Sequence, residues 1–243
     1  MRTVRGFHDG PLDGAQRVQL SEALSHHWTR VLRLQQGDEA QLFNGDGHDY
    51  RVRLLTLAKR GVEVEILGSA AVASESPLDI TLAQGLCRGE KMDWVLQKAT
   101  ELGVSGIQPL MTERSEVRLS GEREERRVSH WRQVLQSACE QCGRARLPRL
   151  ASPLALPEWA ATADPAACKL LLDPCAEQGL QGTAPAGRVV IAIGPEGGFA
   201  EHEVALLQRR GFLGIRLGPR ILRTETAGLA ALAALQAAWG DLG

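Results

Sequence analysis

Short apolar runs and tight turns dominate residues 1–72. Ser21 is suited to cap a short helix, because a serine side chain can accept a hydrogen bond from the first turn. Residues 50–54 and 62–66 alternate apolar and polar side chains, and the Asn-Gly-Asp-Gly sequence at residues 44–47 is typical of a hairpin turn. The pattern predicts a small β-rich domain, either a barrel or a sandwich.

The hydrophobic period changes after residues 73–77, a small polar segment that we interpret as a linker. From residue 78 onward, short apolar runs alternate with amphipathic stretches of helical period. The predicted strands span residues 80–86, 104–111, 168–172, 189–193 and 215–217, and the predicted helices span 92–102, 122–141 and 200–210. This alternation predicts an α/β domain over residues 78–243, built on a mainly parallel sheet.

Two of the predicted strands end in a glycine–proline corner. The strand at residues 189–193 runs into Gly194 and the strand at 215–217 runs into Gly218, with a proline after each glycine. Ligands of open α/β sheets bind outside the carboxyl ends of the strands, where such loops gather. Glycine also lets the backbone approach a ligand closely. The corners therefore predict a small-molecule pocket, although the same residues can serve only to turn the chain.

Spacing excludes the common nucleotide and hydrolase motifs. The loop that begins at Gly194 lacks the Gly-Lys-Ser/Thr step of a phosphate-binding loop and the G-x-G-x-x-G of a dinucleotide fold. No G-x-S-x-G or H-E-x-x-H sequence occurs, the histidines are scattered, and we expect no metal site. What remains is a pocket for a planar polar ligand, with Ile221 and Leu222 as an apolar wall for an adenine-like ring.

Amino-acid composition says more about which partners the protein can bind than about its fold. The 243 residues are 44% hydrophobic and 23% charged, which is ordinary for a globular protein. No apolar run approaches the roughly 20 residues that span a bilayer, and the first residues lack a secretory core, so we expect a cytoplasmic protein without a membrane partner. Arginine outnumbers lysine, 24 to 4 among the 28 basic residues, and residues 114–149 hold an excess of arginine over glutamate. That excess suits phosphate contacts, but it suits a solvated helix face equally well.

Six segments together carry a family resemblance. They are residues 26–39 (HHWTRVLRLQQGDE), 89–104 (GEKMDWVLQKATELGV), 113–115 (ERS), 138–144 (ACEQCGR), 193–199 (IGPEGGF) and 217–227 (LGPRILRTETA). The chain resembles the bacterial RsmE-type methyltransferases of the SPOUT superfamily, which methylate N3 of a uridine in 16S ribosomal RNA of the small ribosomal subunit. It departs at Cys142, where many relatives have serine, and at Cys87-Arg88, where proline-lysine is common.

The resemblance implies a PUA-like RNA-binding domain at residues 1–72 and a trefoil-knotted α/β methyltransferase domain at residues 78–243. It also implies S-adenosylmethionine as the methyl donor, a homodimer, and small-subunit ribosomal RNA or the 30S particle as the substrate. Two alternatives stay open: a related SPOUT enzyme that acts on a ribose hydroxyl or another base, and a non-catalytic RNA-binding assembly factor.

The resemblance implies the cofactor-binding residues, and the chemistry of methyl transfer to N3 of uracil suggests the catalytic ones. The expected cofactor-binding residues are Gly194, Pro195, Glu196, Gly197, Gly198, Leu217, Gly218, Ile221, Leu222, Thr224 and Thr226. For Thr224, a cap of the final helix is the alternative to a ligand contact. The expected catalytic residues are Arg223, then Arg144, which would stabilise charge on uracil, and Glu225, which would orient Arg223 or accept a proton. The expected RNA-backbone contacts are Arg2, Arg5, Arg30 and Arg33.

Overall fold

Five strands near the start of the chain form one sheet in the computed structural model, which describes residues 3–58, 61–180 and 187–243. Its strands are β1 (Arg5–Phe7), β2 (Arg17–Gln19), β3 (Glu39–Phe43), β4 (His48–Ala58) and β5 (Gly61–Ala71). Their order is β1-β3-β4-β5-β2, and every pair is antiparallel except β1 with β3. The predicted β-rich first domain is confirmed.

The alternating pattern of β4 explains why this sheet has a buried face. Tyr50, Val52 and Leu54 are buried, whereas Arg51 and Arg53 between them are exposed. A short helix, α1 (Glu22–His26), continues into a π-helical turn (His27–Val31) and places Trp28 in the same core. The predicted cap is confirmed, because the Oγ of Ser21 accepts a hydrogen bond of 3.3 Å from the backbone N–H of Leu24.

Parallel strands make up the second sheet, as the sequence predicts. Its strands are β6 (Asp79–Gly85), β7 (Gly106–Met111), β8 (Arg149–Leu150), β9 (Leu154–Ala155), β10 (Cys168–Leu172), β11 (Arg188–Ile193) and β12 (Leu213–Ile215). The order is β12-β10-β11-β6-β7-β8, with β9 paired to β7. The helices are α2 (Lys91–Glu101), α3 (Gly121–Cys142), α4 (Leu156–Thr162), α5 (Glu201–Arg209) and α6 (Thr224–Trp239).

The central strands of this sheet are buried on both faces. One apolar cluster contains Ile80, Ile191 and residues of α2 and α6, and another contains Ala192 and residues of α4 and α5. Burial on both faces explains the continuous apolar runs of these strands. The strand predicted at 215–217 is wrong in position, because β12 ends at Ile215 and the following residues belong to a loop.

Contacts divide the described residues into two units at a different boundary from the predicted one. One unit comprises the described residues up to Glu75 together with Cys139–Leu147, and the other comprises Ser76–Ala138 and Pro148–Gly243. Cys139 and Ala145 pack with Phe43 of β3, which accounts for the assignment of this segment to the first unit. The helical pattern runs unbroken through residues 122–141, so the sequence contains no sign of this division.

Among the described residues, no helix is both long enough and apolar enough to cross a bilayer.

Candidate functional site

A cavity of about 550 Å³ lies at the carboxyl ends of β10, β11 and β12. The loop after β11 (residues 194–199) and the loop after β12 (residues 216–223) form most of its wall. All of the predicted cofactor residues line it except Thr226, which is exposed on α6. The two predicted glycine corners are therefore brought together at one site, where the topology of a parallel sheet favours ligand binding.

Close backbone packing explains the glycines of the first loop. A Cβ on Gly194 would lie 3.0 Å from the backbone of Gly198 and Phe199, because the loop folds back on itself. Gly198 itself has a φ of 67°, which favours glycine. At the end of β6, a Cβ on Gly85 would lie 2.5 Å from the backbone nitrogen of Pro195. Gly85 was not among the predicted site residues, because only the fold brings it against the loop.

The Glu-Arg-Ser segment at residues 113–115 supports the other side of this loop. Nη1 of Arg114 donates to the carbonyl oxygen of Gly197 at 3.2 Å, and a Cβ on Gly197 would lie 3.1 Å from the Cβ of Arg114. The buried carboxylate of Glu203 accepts hydrogen bonds from the backbone N–H groups of Glu113 (2.9 Å) and Ala200 (2.8 Å). Arg114 and Glu203, which hold this loop, are not among the predicted site residues.

The second loop combines a glycine in the left-handed backbone region with apolar residues of unequal exposure. Gly218 has a φ of 70°, a conformation that favours glycine. Leu217 and Leu222 are half-buried, whereas Ile221 is 84% exposed although it lines the cavity. The apolar wall therefore includes one side chain with a large solvent-facing surface.

Thr224 connects the two loops. Its hydroxyl donates to the carbonyl oxygen of Gly194 at 2.6 Å and accepts from Nε2 of Gln84 at 2.9 Å. Arg223, not Thr224, is the residue that precedes the first turn of α6, and that helix has no side-chain cap. The side chain of Thr224 therefore does not cap the final helix, and it holds the start of α6 against the first loop instead.

A charged cluster occupies one wall of the cavity. Nζ of Lys91 lies 3.0 Å from Oε1 of Glu196 and 3.8 Å from Oε2 of Glu225. Partial burial would by itself raise the pKa of Glu196, but hydrogen bonds from Lys91 and from the backbone N–H of Arg88 hold it below its usual value. Glu196 is therefore ionised at neutral pH.

Exposed arginines supply positive charge on the same cavity. Arg216, Arg220 and Arg223 line it, and all three are exposed. Within the part of the chain that the structure describes, none of the three guanidinium groups has an ion-pair partner. They are thus available to a phosphate or to a developing negative charge.

Of the three predicted catalytic residues, Arg223 and Glu225 line the cavity and Arg144 does not. The side chain of Arg144 belongs to the first unit and is 6% exposed. Its Nη2 donates to Oε2 of Glu75 at 2.6 Å. Arg223 and Glu225 are therefore the two predicted catalytic residues that lie on the cavity, whereas Arg144 is paired with Glu75 in the first unit.

The predicted RNA contacts have different surroundings. Arg2 lies outside the described residues. Arg5 is internal: it makes a two-bond ion pair with Asp49, at 2.6 and 3.2 Å, and donates to the carbonyl oxygen of Cys139 at 2.7 Å. These contacts satisfy its guanidinium, so we do not retain it as an RNA contact. Arg30 and Arg33 are exposed, and neither has an ion-pair partner among the described residues.

No group of three or more His, Cys, Asp or Glu side chains in the described residues is placed to hold a metal ion. Burial raises the pKa of Cys139 to about 12, so this thiol is not a thiolate at neutral pH.

Two family models match the chain. A model described as an RNA methyltransferase domain matches residues 74–236, and one described as an RNA methyltransferase PUA domain matches residues 20–67. The first match alone covers most of the second structural unit.

Curated relatives agree with these models. The ribosomal RNA small subunit methyltransferase E of Buchnera aphidicola from Schizaphis graminum is 34% identical over 228 residues, covering 93% of each chain. The protein of the same name from Bacillus subtilis is 31% identical over 219 residues, covering 86% of each.

Two solved structures align with the whole chain. A putative methyltransferase from Legionella pneumophila, in complex with S-adenosylmethionine, is 40% identical with a TM-score of 0.95, covering 100% of each chain. The ribosomal RNA small subunit methyltransferase E of Neisseria gonorrhoeae, bound to S-adenosylmethionine, is 37% identical with a TM-score of 0.93 and the same coverage. These likenesses confirm the expected SPOUT-type α/β fold and its PUA-like companion domain. The chain therefore belongs to the RNA methyltransferase family of the ribosomal RNA small subunit methyltransferase E proteins.

Proposed function

We propose that this protein transfers a methyl group from S-adenosylmethionine to N3 of a uridine in 16S ribosomal RNA of the small ribosomal subunit. One observation carries the proposal: two loops with glycine–proline corners and the start of α6 line a cavity, in a chain that aligns over its whole length with S-adenosylmethionine complexes. The choice of N3 of uridine rests on the sequence resemblance described above.

The cavity suits the methyl donor in size and chemistry. Its volume of about 550 Å³ lies within the range of pockets for small molecules, roughly 300–1,000 Å³. Leu217, Ile221 and Leu222 offer apolar surface for the adenine ring, and the first loop offers backbone groups. When bound, the donor supplies an electrophilic methyl group on a positively charged sulfur. The protein aligns that methyl with the acceptor and excludes water.

Charge balance indicates what the remaining residues do. Transfer breaks the S–CH3 bond and forms the N3–CH3 bond, and the proton of N3 leaves. As the proton leaves ahead of methyl transfer, negative charge develops on the flanking carbonyl oxygens of uracil, where the guanidinium of Arg223 stabilises it, and the arriving methyl group neutralises it. Glu225 lines the same cavity and accepts the proton. No ion pair joins Glu225 to Arg223 in the described part of the chain, so the alternative role of orienting Arg223 has no contact to support it.

We also infer surface contacts with the RNA substrate and with a second copy of the chain. Arg30 and Arg33 on the first unit are available for the RNA backbone, since phosphate contacts position a nucleic acid without reading its sequence. Helix α6 supports the expected homodimer, because Ala237 and Ala238 are exposed on a helix that is apolar on nearly every side. A cytoplasmic location and metal-independent catalysis remain predictions.

The function is tested by nucleoside mass spectrometry of 30S subunits incubated with the purified protein and S-adenosylmethionine. We expect N3-methyluridine in subunits that come from a strain lacking the gene. A methylated ribose or another methylated base would instead identify a related SPOUT specificity. Failure to bind S-adenosylmethionine in calorimetry would favour a non-catalytic assembly factor.

The role of Arg223 is tested by Arg223→Ala. We expect kcat to fall about 10²- to 10³-fold, as when one donor to a developing oxyanion is removed, while affinity for S-adenosylmethionine is retained. Arg209→Ala, an exposed arginine of α5 outside the cavity, is the matched control and should leave kcat unchanged. Full activity of Arg223→Ala would exclude the electrostatic role.

A further inference from the structure

Two carboxylates of the cavity share one ammonium group. Lys91 lies 3.0 Å from Oε1 of Glu196 and 3.8 Å from Oε2 of Glu225, and all three residues line the cavity. This cluster, Lys91–Glu196–Glu225, therefore carries one more negative than positive charge. The excess is built into the wall of the site where the methyl donor binds in the proposed function.

The two carboxylates differ in how their oxygens are satisfied. Oε1 of Glu196 accepts hydrogen bonds from Nζ of Lys91 and, at 3.1 Å, from the backbone N–H of Arg88. Oε2 of Glu225 is buried and has no hydrogen-bond partner among the described residues, and the side chain is only 12% exposed. A buried carboxylate oxygen without a donor is costly, so a positively charged ligand in the cavity would stabilise it.

The methyl donor and the product that it leaves behind differ mainly in charge. The donor holds its methyl group on a sulfonium, which bears one positive charge, whereas the product is a neutral thioether. Adenine, ribose and the amino-acid portion are the same in both. Contacts with those parts therefore bind donor and product alike, and only a group that responds to charge or to the methyl itself separates them.

We infer that the Lys91–Glu196–Glu225 cluster makes the cavity prefer the sulfonium donor over its neutral thioether product, with Glu225 as the principal residue. This inference rests on the proposed function and deepens it. Loss of the positive charge during transfer removes the attraction, so the spent cofactor is released and fresh donor binds in its place.

The other charges on the cavity do not cancel this preference. Arg216, Arg220 and Arg223 are exposed, and Asp173 is half-buried at the end of β10. Water and salt screen exposed charges strongly, whereas a buried charge is screened much less. The field within the cavity near Glu225 is therefore dominated by the buried carboxylate.

The experiment is calorimetric binding of S-adenosylmethionine and of S-adenosylhomocysteine, the thioether product, to the full-length protein. For Glu225→Gln, which removes charge with little change in shape, we expect donor affinity to fall about tenfold and product affinity to change less than about twofold. Glu201→Gln removes the same charge from an exposed position of α5 outside the cavity, and should change neither affinity.

Lys91→Met provides a test of sign. Removing the ammonium group uncovers negative charge, so the ratio of donor to product affinity should rise instead of falling. Opposite shifts in the two variants would support the inference, because general damage to the site lowers both affinities together.

The results separate this inference from the function on which it rests. Equal losses of donor and product affinity in Glu225→Gln, partial or complete, would overturn the charge preference and leave the methyltransferase proposal standing. A wild-type protein that binds neither compound would refute the proposed function, and the inference with it.

Discussion

Replacement of Thr224 by valine tests whether one buried hydroxyl holds the two cavity loops together. Thr224 is 6% exposed, donates to the carbonyl oxygen of Gly194 at 2.6 Å and accepts from Nε2 of Gln84 at 2.9 Å. Valine keeps the branched shape of threonine but removes both hydrogen bonds, together with a weaker contact of 3.9 Å between the hydroxyl and Sγ of Cys87. The substitution therefore isolates the contribution of the hydroxyl from that of packing.

The expected loss of stability follows from the partners that remain. A typical intramolecular hydrogen bond contributes about 1 kcal/mol, and a buried polar group left without a partner costs about 1–3 kcal/mol. Nε2 of Gln84 keeps a hydrogen bond of 3.2 Å to the carbonyl oxygen of Gly85, so the main cost falls on the carbonyl of Gly194. We expect the free energy of unfolding to fall by roughly 2–4 kcal/mol.

The measurements are urea denaturation followed by circular dichroism and calorimetric titration with S-adenosylmethionine. Because Gly194 is released from α6, donor affinity should also fall. The decrease is about tenfold for each 1.4 kcal/mol needed to return the loop to its binding conformation. Thr226→Val is a matched control, since Thr226 is exposed two residues further along the same helix. Thr224→Ser keeps the hydroxyl and should recover most of the affinity.

A small effect would refute this reasoning. If Thr224→Val lost no more stability than Thr226→Val and bound the donor normally, the hydroxyl would not connect the loops. If Thr224→Ser were as damaged as Thr224→Val, packing of the missing methyl would be responsible instead.

Two further substitutions test other parts of the structure. Gly194→Ala places a Cβ 3.0 Å from the backbone of Phe199, so the free energy of unfolding in urea should fall by about 1–3 kcal/mol and donor binding should weaken. The control is Gly187→Ala, because no described atom lies within 4 Å of the new Cβ, and it should change neither stability nor donor binding. Burial and a hydrogen bond to Asp46 raise the pKa of Tyr50 to about 12. Because the unfolded value is near 10, stability should be intact below about pH 10 and decrease as the pH rises toward 12, and Tyr50→Phe should lack that decrease.

Local patterns were sufficient for most of the secondary structure. The strand predicted at residues 168–172 matches β10 at both ends, and its central residues Leu170 and Leu171 are buried in the core. Alternation likewise identified β4, and helical period identified α2 and α5. The short strands β8 and β9 escaped prediction because two residues are too few to show a period.

The sequence predicts where the cavity lies but not which contacts shape its wall. Strand ends followed by glycine and proline indicated where a ligand would bind. The reason for Gly194 is the packing of the loop against itself, and the importance of Gly85 and Gln84 comes from residues more than 100 positions away. No local pattern records such distant neighbours.

The sequence by itself determined the α/β class, the strand and helix periods, and the loops that line the site, because each depends on residues that are near one another along the chain. Only the tertiary structure decided which charged side chains can contact a ligand. Arg5 and Arg144 are arginines of the type that contacts RNA or stabilises charge, yet their side chains are almost fully buried and paired with Asp49 and Glu75. Arg223 and Glu225 have the same residue types and face a cavity. The difference lies in the partners that folding supplies: Arg223 has no ion-pair partner among the described residues, and Oε2 of Glu225 has no hydrogen-bond donor there and lies 3.8 Å from Lys91.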